Sequence, residues 1–241
     1  MDEIYEKEIE IGPSVCDASG LLSYHDAFGL FMNAASAHAD RLGIGIGDLT
    51  GKDLFWLTVK TRVEFTARPH MGQTVTVRTW PEAPEKVRGD RSYELERDGE
   101  VMIRGKTEWA VINTVTRRPA LLNDIYPDSL SYSRPSACPG PYARIPEDFE
   151  ENDRCFEHTV LSTDIDVGGH MNNTAYVRSV ISSFSNAELR SLDIRRIDVI
   201  FRASCFEGDR LIFQKRARDG GVNIRVSRGG DTVLLMRMGA G

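Results

Sequence analysis

An α+β fold built twice in tandem, each copy a long helix wrapped by an antiparallel β-sheet, is what the 241-residue sequence predicts. Two observations carry the prediction. Helical apolar spacing occurs once in each half, and in each half a series of period-two runs rich in β-branched and aromatic residues follows it. A third is an internal repeat. Val63, Phe65, Gly72 and Gln73 match Val199, Phe201, Gly208 and Asp209 at a constant displacement of 136 positions, and "ERDGEV" at 96–101 is echoed by "SRGGDTV" at 227–233 as a hairpin turn.

The elements follow in order. Alternation from Ile4 to Ile11 suits a strand. Ala27, Leu30, Phe31, Ala34, Ala35, His38 and Leu42 then share one helix face, and Gly43 is placed to stop that helix. The stretch "GIGIGDLTGKD" reads as a loop. It follows a helix rather than a strand, and its glycine spacing misses that of a phosphate-binding loop. Strands come next at "LFWLTVKTRVEF", "QTVTVRTW", "DRSYELERDG" and "VMIRGKTEWAVINTVT", with turns at "ARPHMG" and "PEAPEK". Residues 1–116 thus form a first domain and 153–241 a second. Between them, the linker 117–152 holds six of the ten prolines, which excludes a long helix or a central strand. In the second half a strand near Phe156–Leu161 leads to a helix whose face would carry Tyr176, Val180, Ile181, Phe184 and Ala187. Strands at "IDVIFRA", "RLIFQKRA", "VNIRVSRGG" and "TVLLMRM" complete it. A helix wrapped by an antiparallel sheet, present twice, is the tandem (double) hotdog. Duplication then supplies within one chain what single hotdogs achieve by dimerising, and a homodimer of the whole chain stays open.

Composition narrows the function. The chain is 41% apolar and 27% charged, with 30 basic against 36 acidic residues, a formal net charge of −6 and no dense Lys/Arg block. Nucleic-acid binding, which needs a basic footprint, is not expected. No apolar run reaches the roughly 18 residues of a membrane span, and the acidic start lacks the pattern of a signal peptide, so a cytoplasmic location is expected. Cys16, Cys138, Cys155 and Cys205 show no C-x-x-C pair and read as reduced thiols. Asp164, Asp166 and His170 lack the spacing that would support a metal site, and no cofactor is implied.

The segment "STDIDVGGHMNN" at 162–173 crowds carboxylates, glycines and an imidazole where the second helix should begin. His170 is a natural general base, Asp166 could orient it, and Gly168 lets backbone approach a substrate. N–H groups around Asn172–Ala175 could meet an oxyanion. A plainer reading stands beside this one: Asp164 or Asp166 caps a turn, Asn172 or Asn173 caps the helix, and His170 is a hydrogen-bonded loop residue. Cys205 is either a nucleophile or a buried small hydrophobe, and Ser204 either holds a water or is an ordinary strand residue.

Over nearly its whole length the chain resembles the acyl-[acyl-carrier-protein] thioesterases of bacteria and plants. The resemblance lies in "GLLSYHDAFGLFMNAASAHADRLGIG", "FWLTVKTRVEFTARPHMGQTVTVRTWPEAP", "RSYELERDGEVMIRGKTEWAVINTVTRRP", "LSTDIDVGGHMNNTAYVRSV", the F-x(6)-GD spacing at 201–209, and the positions of Trp56, Trp80 and Trp109. It implies hydrolysis of the thioester between a fatty acyl chain and the carrier's phosphopantetheine arm. The catalytic set it implies falls in the second hotdog on Asp166 and His170, with Gly168 at the family's Asn position, Ser204 at its Glu position and Cys205 at its Cys position. It also implies an acyl tunnel in the first hotdog, with Phe31, Ala35, Trp56 and Leu57 as candidate walls. The partner it implies is an acidic carrier protein, whose docking would need a basic patch, with Lys86, Arg88 and Arg91, or Arg195 and Arg196, as candidates. With two polar positions altered, an impaired acyl-thioester binding protein and an acyl-CoA thioesterase are the alternatives.

Overall fold

The computed structural model describes residues 3–240. The chain divides into two compact units, Met1–Gly140 and Pro141–Gly241.

In the first unit, strand β1 (Tyr5–Glu10) precedes helix α1 (Tyr24–Arg41) and the short helix α2 (Ile46–Thr50). Strands β2 (Leu54–Phe65), β3 (Thr74–Pro81), β4 (Arg88–Arg97) and β5 (Glu100–Asn113) follow. They pair antiparallel in the order β1-β3-β4-β5-β2. Ser23 caps α1 by accepting the Asp26 N–H at 3.1 Å. The helix ends where Gly43 takes φ 71°, a left-handed conformation that costs a glycine little. Ala27, Phe31, Ala34, Ala35 and His38 are buried as the spacing predicts, whereas Leu30 is half-buried and Phe28, outside the predicted face, is buried as well. Gly105 on β5 lets that face come close: a Cβ there would stand 2.8 Å from Phe31 Cε2. The stretch read as a loop contains α2, because the Asp48 carboxylate accepts the Gly45 N–H and Leu49 buries itself in the core.

In the second unit, β6 (Arg154–Thr159) leads to α3 (Asn173–Ser182) and α4 (Asn186–Ser191). Strands β7 (Arg196–Phe201), β8 (Arg210–Arg218), β9 (Gly221–Arg228) and β10 (Asp231–Gly239) then pair in the order β6-β8-β9-β10-β7. This is the first unit's topology, strand for strand. The second helix, however, is shorter than the spacing predicts. The Ser182 and Ser183 hydroxyls donate to carbonyls of the preceding turn, Arg178 O and Val180 O, and Ser185 starts a new helix as its N-cap. Phe184 therefore leaves the predicted face and instead lies under Lys215 Nζ, 4.0 Å from the ring centre.

The proline-rich connector is shared out between the units. Leu122, Tyr126 and Leu130 bury themselves against Leu42, Ile44, Leu49 and Val111 of the first. Trp80 Nε1 donates to Pro135 O, and the Ala137 N–H to Ser92 Oγ. From residue 141 the chain is tied to the second unit, where Gln214 donates to Glu150 O and Arg216 pairs with Glu150 and Asp153.

Candidate active site

Both units build the same turn between their first strand and their helix, at a displacement of 149 positions. In the first, the Asp17 N–H donates to Leu21 O, the Gly20 N–H to Asp17 O, and the Ser19 N–H to Asp17 Oδ1; Gly20 has φ 72°. In the second, the Asp166 N–H donates to His170 O (2.9 Å), the Gly169 N–H to Asp166 O (3.0 Å), and the Gly168 N–H to Asp166 Oδ1 (2.8 Å); Gly169 has φ 74°. The turn in each unit is docked the same way. Leu22 N–H reaches Pro69 O, and Met171 N–H reaches Cys205 O at 2.8 Å.

What the two copies share is architecture, and what differs is chemistry. Asp17 is held by Arg68 at 2.5 Å in an ion pair. The position matching Arg68 is Ser204, and no Lys or Arg among the described residues pairs with Asp166. One oxygen of that carboxylate orders the turn, and the charge is left without a cation. The position matching Leu21 is His170, half-buried, its ring 5.3 Å from that of Phe206. Asp166, Gly168 and His170 thus stand on one tight turn beside the 203–206 segment.

That segment also holds Ser204 and Cys205. Ser204 is exposed, and its carbonyl accepts from Arg228 Nη1 at 3.0 Å. Cys205 is fully buried; burial pushes its thiol up, against opposing pulls from the Tyr176 hydroxyl and Arg228. It is held as a thiol, which is unfavourable for a nucleophile. Tyr176 of α3 donates to Ala203 O at 3.2 Å, and its hydroxyl is shifted strongly upward by burial and then by Cys205. Asn172 caps α3, its side chain accepting the Thr174 N–H, while its own N–H goes to Asp164 O. Two of the amides expected for an oxyanion are thereby occupied. Among the described residues, no group of three or more His, Cys, Asp or Glu side chains is gathered as a metal ion would need.

Of one neighbour the sequence offered no more than a turn cap: Asp164 is a buried carboxylate with side-chain partners as well. Its Oδ2 lies 2.7 Å from His158 Nε2 and 3.0 Å from the Leu161 N–H, and its Oδ1 2.6 Å from Arg178 Nη2. Burial pushes this carboxyl up, but the Leu161 N–H, His158 and Arg178 outweigh it and hold it below the ordinary range. The i, i+14 spacing of Asp164 and Arg178 carries no signal without a fold.

In the first unit, Phe31 and Ala35 are buried on α1, and Phe31 stacks on Tyr93 at 4.9 Å. Trp56 donates to Ile44 O and meets Trp109 edge-on at 6.0 Å, while Trp109 Nε1 reaches Tyr93 Oη at 3.4 Å. Aromatic rings therefore link Phe31 to Trp56. Leu57 is next to Trp56 on β2, and successive strand residues face opposite ways, so the two do not share a wall. Arg91, expected in a surface patch, is buried; its Nη1 donates to His38 Nδ1 at 3.0 Å, which makes that nitrogen an acceptor. Lys86 and Arg88 are exposed.

Two hotdog units whose helix-start turns agree in backbone and differ in chemistry define a tandem hotdog protein with one candidate active turn. Residues 2–129 match the acyl-ACP thioesterase N-terminal domain and residues 148–231 the acyl-ACP thioesterase C-terminal domain; the chain belongs to the acyl-ACP thioesterase family. Among curated relatives, a chloroplastic acyl-[acyl-carrier-protein] hydrolase of Cuphea viscosissima is 23% identical, over 83% of this chain and 55% of its own length. A chloroplastic oleoyl-acyl carrier protein thioesterase of Arabidopsis thaliana is 24% identical, over 65% of this chain and 46% of its own. The chain spans about half the length of the curated relatives it matches. The fold is that of solved structures of an acyl-ACP thioesterase from Bacteroides thetaiotaomicron (TM-score 0.86, 24% identity, 98% of this chain and 97% of that one) and a 12:0-ACP thioesterase from Umbellularia californica (TM-score 0.84, 20% identity, 99% and 97%). Among the described residues no helix is long and apolar enough to cross a membrane.

Proposed function

We propose that the chain hydrolyses the thioester of a fatty acyl-[acyl-carrier-protein], releasing the free fatty acid, and that the 166–170 turn is its active site. One observation carries this reading: of two turns with the same backbone, only the second has an imidazole, and only there is the aspartate without an arginine. Family membership then supplies the reaction class.

In this reading His170 takes a proton from water as the water oxygen attacks the acyl carbonyl carbon. The C–S bond breaks as the tetrahedral intermediate collapses. The proton passes from the imidazolium to the departing pantetheine sulfur, and Asp166 stabilises the cation between the two steps. The oxyanion meets the positive end of α3. Gly168 has no side chain to place where the family has Asn, so the turn offers backbone and water there instead. Ser204 binds that water, and Cys205, kept protonated, packs rather than attacks. The acyl chain lies in the first unit against Phe31, Ala35 and Trp56. A cytoplasmic location and docking of the acidic carrier through exposed basic residues such as Lys86 and Arg88 belong to the same proposal.

The test is hydrolysis of carrier-linked and CoA-linked acyl chains of graded length, with His170→Ala alongside. Turnover on the carrier-linked series, reduced about 100-fold or more in the variant, is expected. Undiminished turnover in the variant overturns the assignment of His170. Tight acyl-carrier binding without turnover favours the impaired binding protein, which Gly168 and Ser204 would suit; faster CoA-linked turnover moves the substrate to acyl-CoA.

A further inference from the structure

We propose that Asp164 is a positioning residue, acting through His158 and Arg178 to hold Asp166 and His170 in their working arrangement; this rests on the thioesterase reading above. Asp164 is 3% exposed. It joins three elements: His158 on β6, the Leu161 N–H at the head of the 162–164 turn, and Arg178 on α3. Its carbonyl oxygen accepts the Asn172 N–H at 2.8 Å, so the same residue closes the base of the turn that carries Asp166 and His170.

The first unit is an internal control. At the matching positions it has Ile9 for His158, Val15 for Asp164, Gly29 for Arg178 and Leu21 for His170. It nonetheless builds the same turn. Ser23 N–H bonds Val15 O as Asn172 N–H bonds Asp164 O, and Cys16 bridges Leu22 as Ile165 bridges Met171. The backbone shape therefore does not require the polar cluster. Burying a carboxylate is costly unless its partners are well placed, and a valine serves the same fold without that cost. The cluster occurs only where the imidazole occurs. What three charge-assisted contacts add is restriction: they tie the turn to a strand and a helix, and catalytic geometry tolerates little drift.

Two variants test this: His158→Ile with Asp164→Val, which installs the first unit's residues, and the isosteric Asp164→Asn. Both are read by circular dichroism, by kcat and KM, and by NMR of the His170 ring. The expected result is a folded protein with kcat down about 30-fold, KM within about twofold, and His170 signals broadened or doubled. A kcat within twofold of wild type in either folded variant overturns the proposal. If the wild type hydrolyses nothing, the thioesterase reading fails separately. The ring signals then decide: doubled signals support positioning, and a single unchanged set overturns it.

Discussion

At the scale of single residues, the two copies of one turn offer a way to separate an aspartate's part in folding from the catalytic part proposed for Asp166. Asp17 and Asp166 each accept an N–H two residues on, and an asparagine can do the same through its own Oδ1. Asp→Asn thus removes charge and keeps the turn. At position 17 the charge pairs with Arg68, whose side chain is 14% exposed. Asp17→Asn should cost about 2 kcal/mol of stability and leave hydrolysis unchanged. Asp166→Asn should leave urea unfolding unchanged and lower kcat at least about tenfold. Chemical unfolding and turnover on both variants check the crossed pattern; equal stability losses would mean that the turns are equivalent after all.

Among elements, the turn and the helix it starts act as one piece. Gly169 has φ 74°, and a Cβ there would meet nothing within 4 Å, so Gly169→Ala tests backbone conformation alone. The expected loss is about 1–2 kcal/mol, seen as a lower urea midpoint, with kcat falling as well because His170 is the next residue. Gly20→Ala, at φ 72° in the first unit, should show the same stability loss and no change in kcat. The helices differ in a related way. α1 runs eighteen residues, whereas α3 stops after ten where three serines and a phenylalanine turn the chain. Serine side chains that bond the preceding carbonyls loosen a helix, and Ser185 is better used as a cap for the next one.

For the whole molecule, the acid side of the stability curve is set by carboxyls that fold into contacts. Every carboxyl with a resolved shift among the described residues, Glu3, Asp153, Glu157, Asp164, Glu188 and Asp209, moves downward, Glu188 to about 2. A depressed folded-state value gives stability that is present above the unfolded value and lost as pH falls through the folded one. Thermal stability should therefore be flat near neutrality and decline below about pH 4.5. Part of the decline should weaken in high salt, since Glu3, Glu157 and Glu188 are open to solvent screening. Asp164→Asn should flatten the acid limb, as the buried member of the set. Calorimetry between pH 7 and pH 3 checks this; a limb unchanged in the variant would remove Asp164 from the acid response.

By itself the sequence determined the repeat, the strands, the first helix and the turn that carries Asp166, Gly168 and His170. Those are written in local periodicity, in glycines that permit left-handed backbone, and in motif spacing, all of which act over a few residues. Tertiary structure alone decided the rest. It placed Asp164 against His158 and Arg178, buried Arg91 on His38, kept Cys205 protonated by burial, and paired Arg68 with Asp17 while leaving Asp166 without a cation. Each of these depends on which chain segments a sheet brings together. Electrostatics and burial are set by neighbours in space, which no short stretch of sequence encodes.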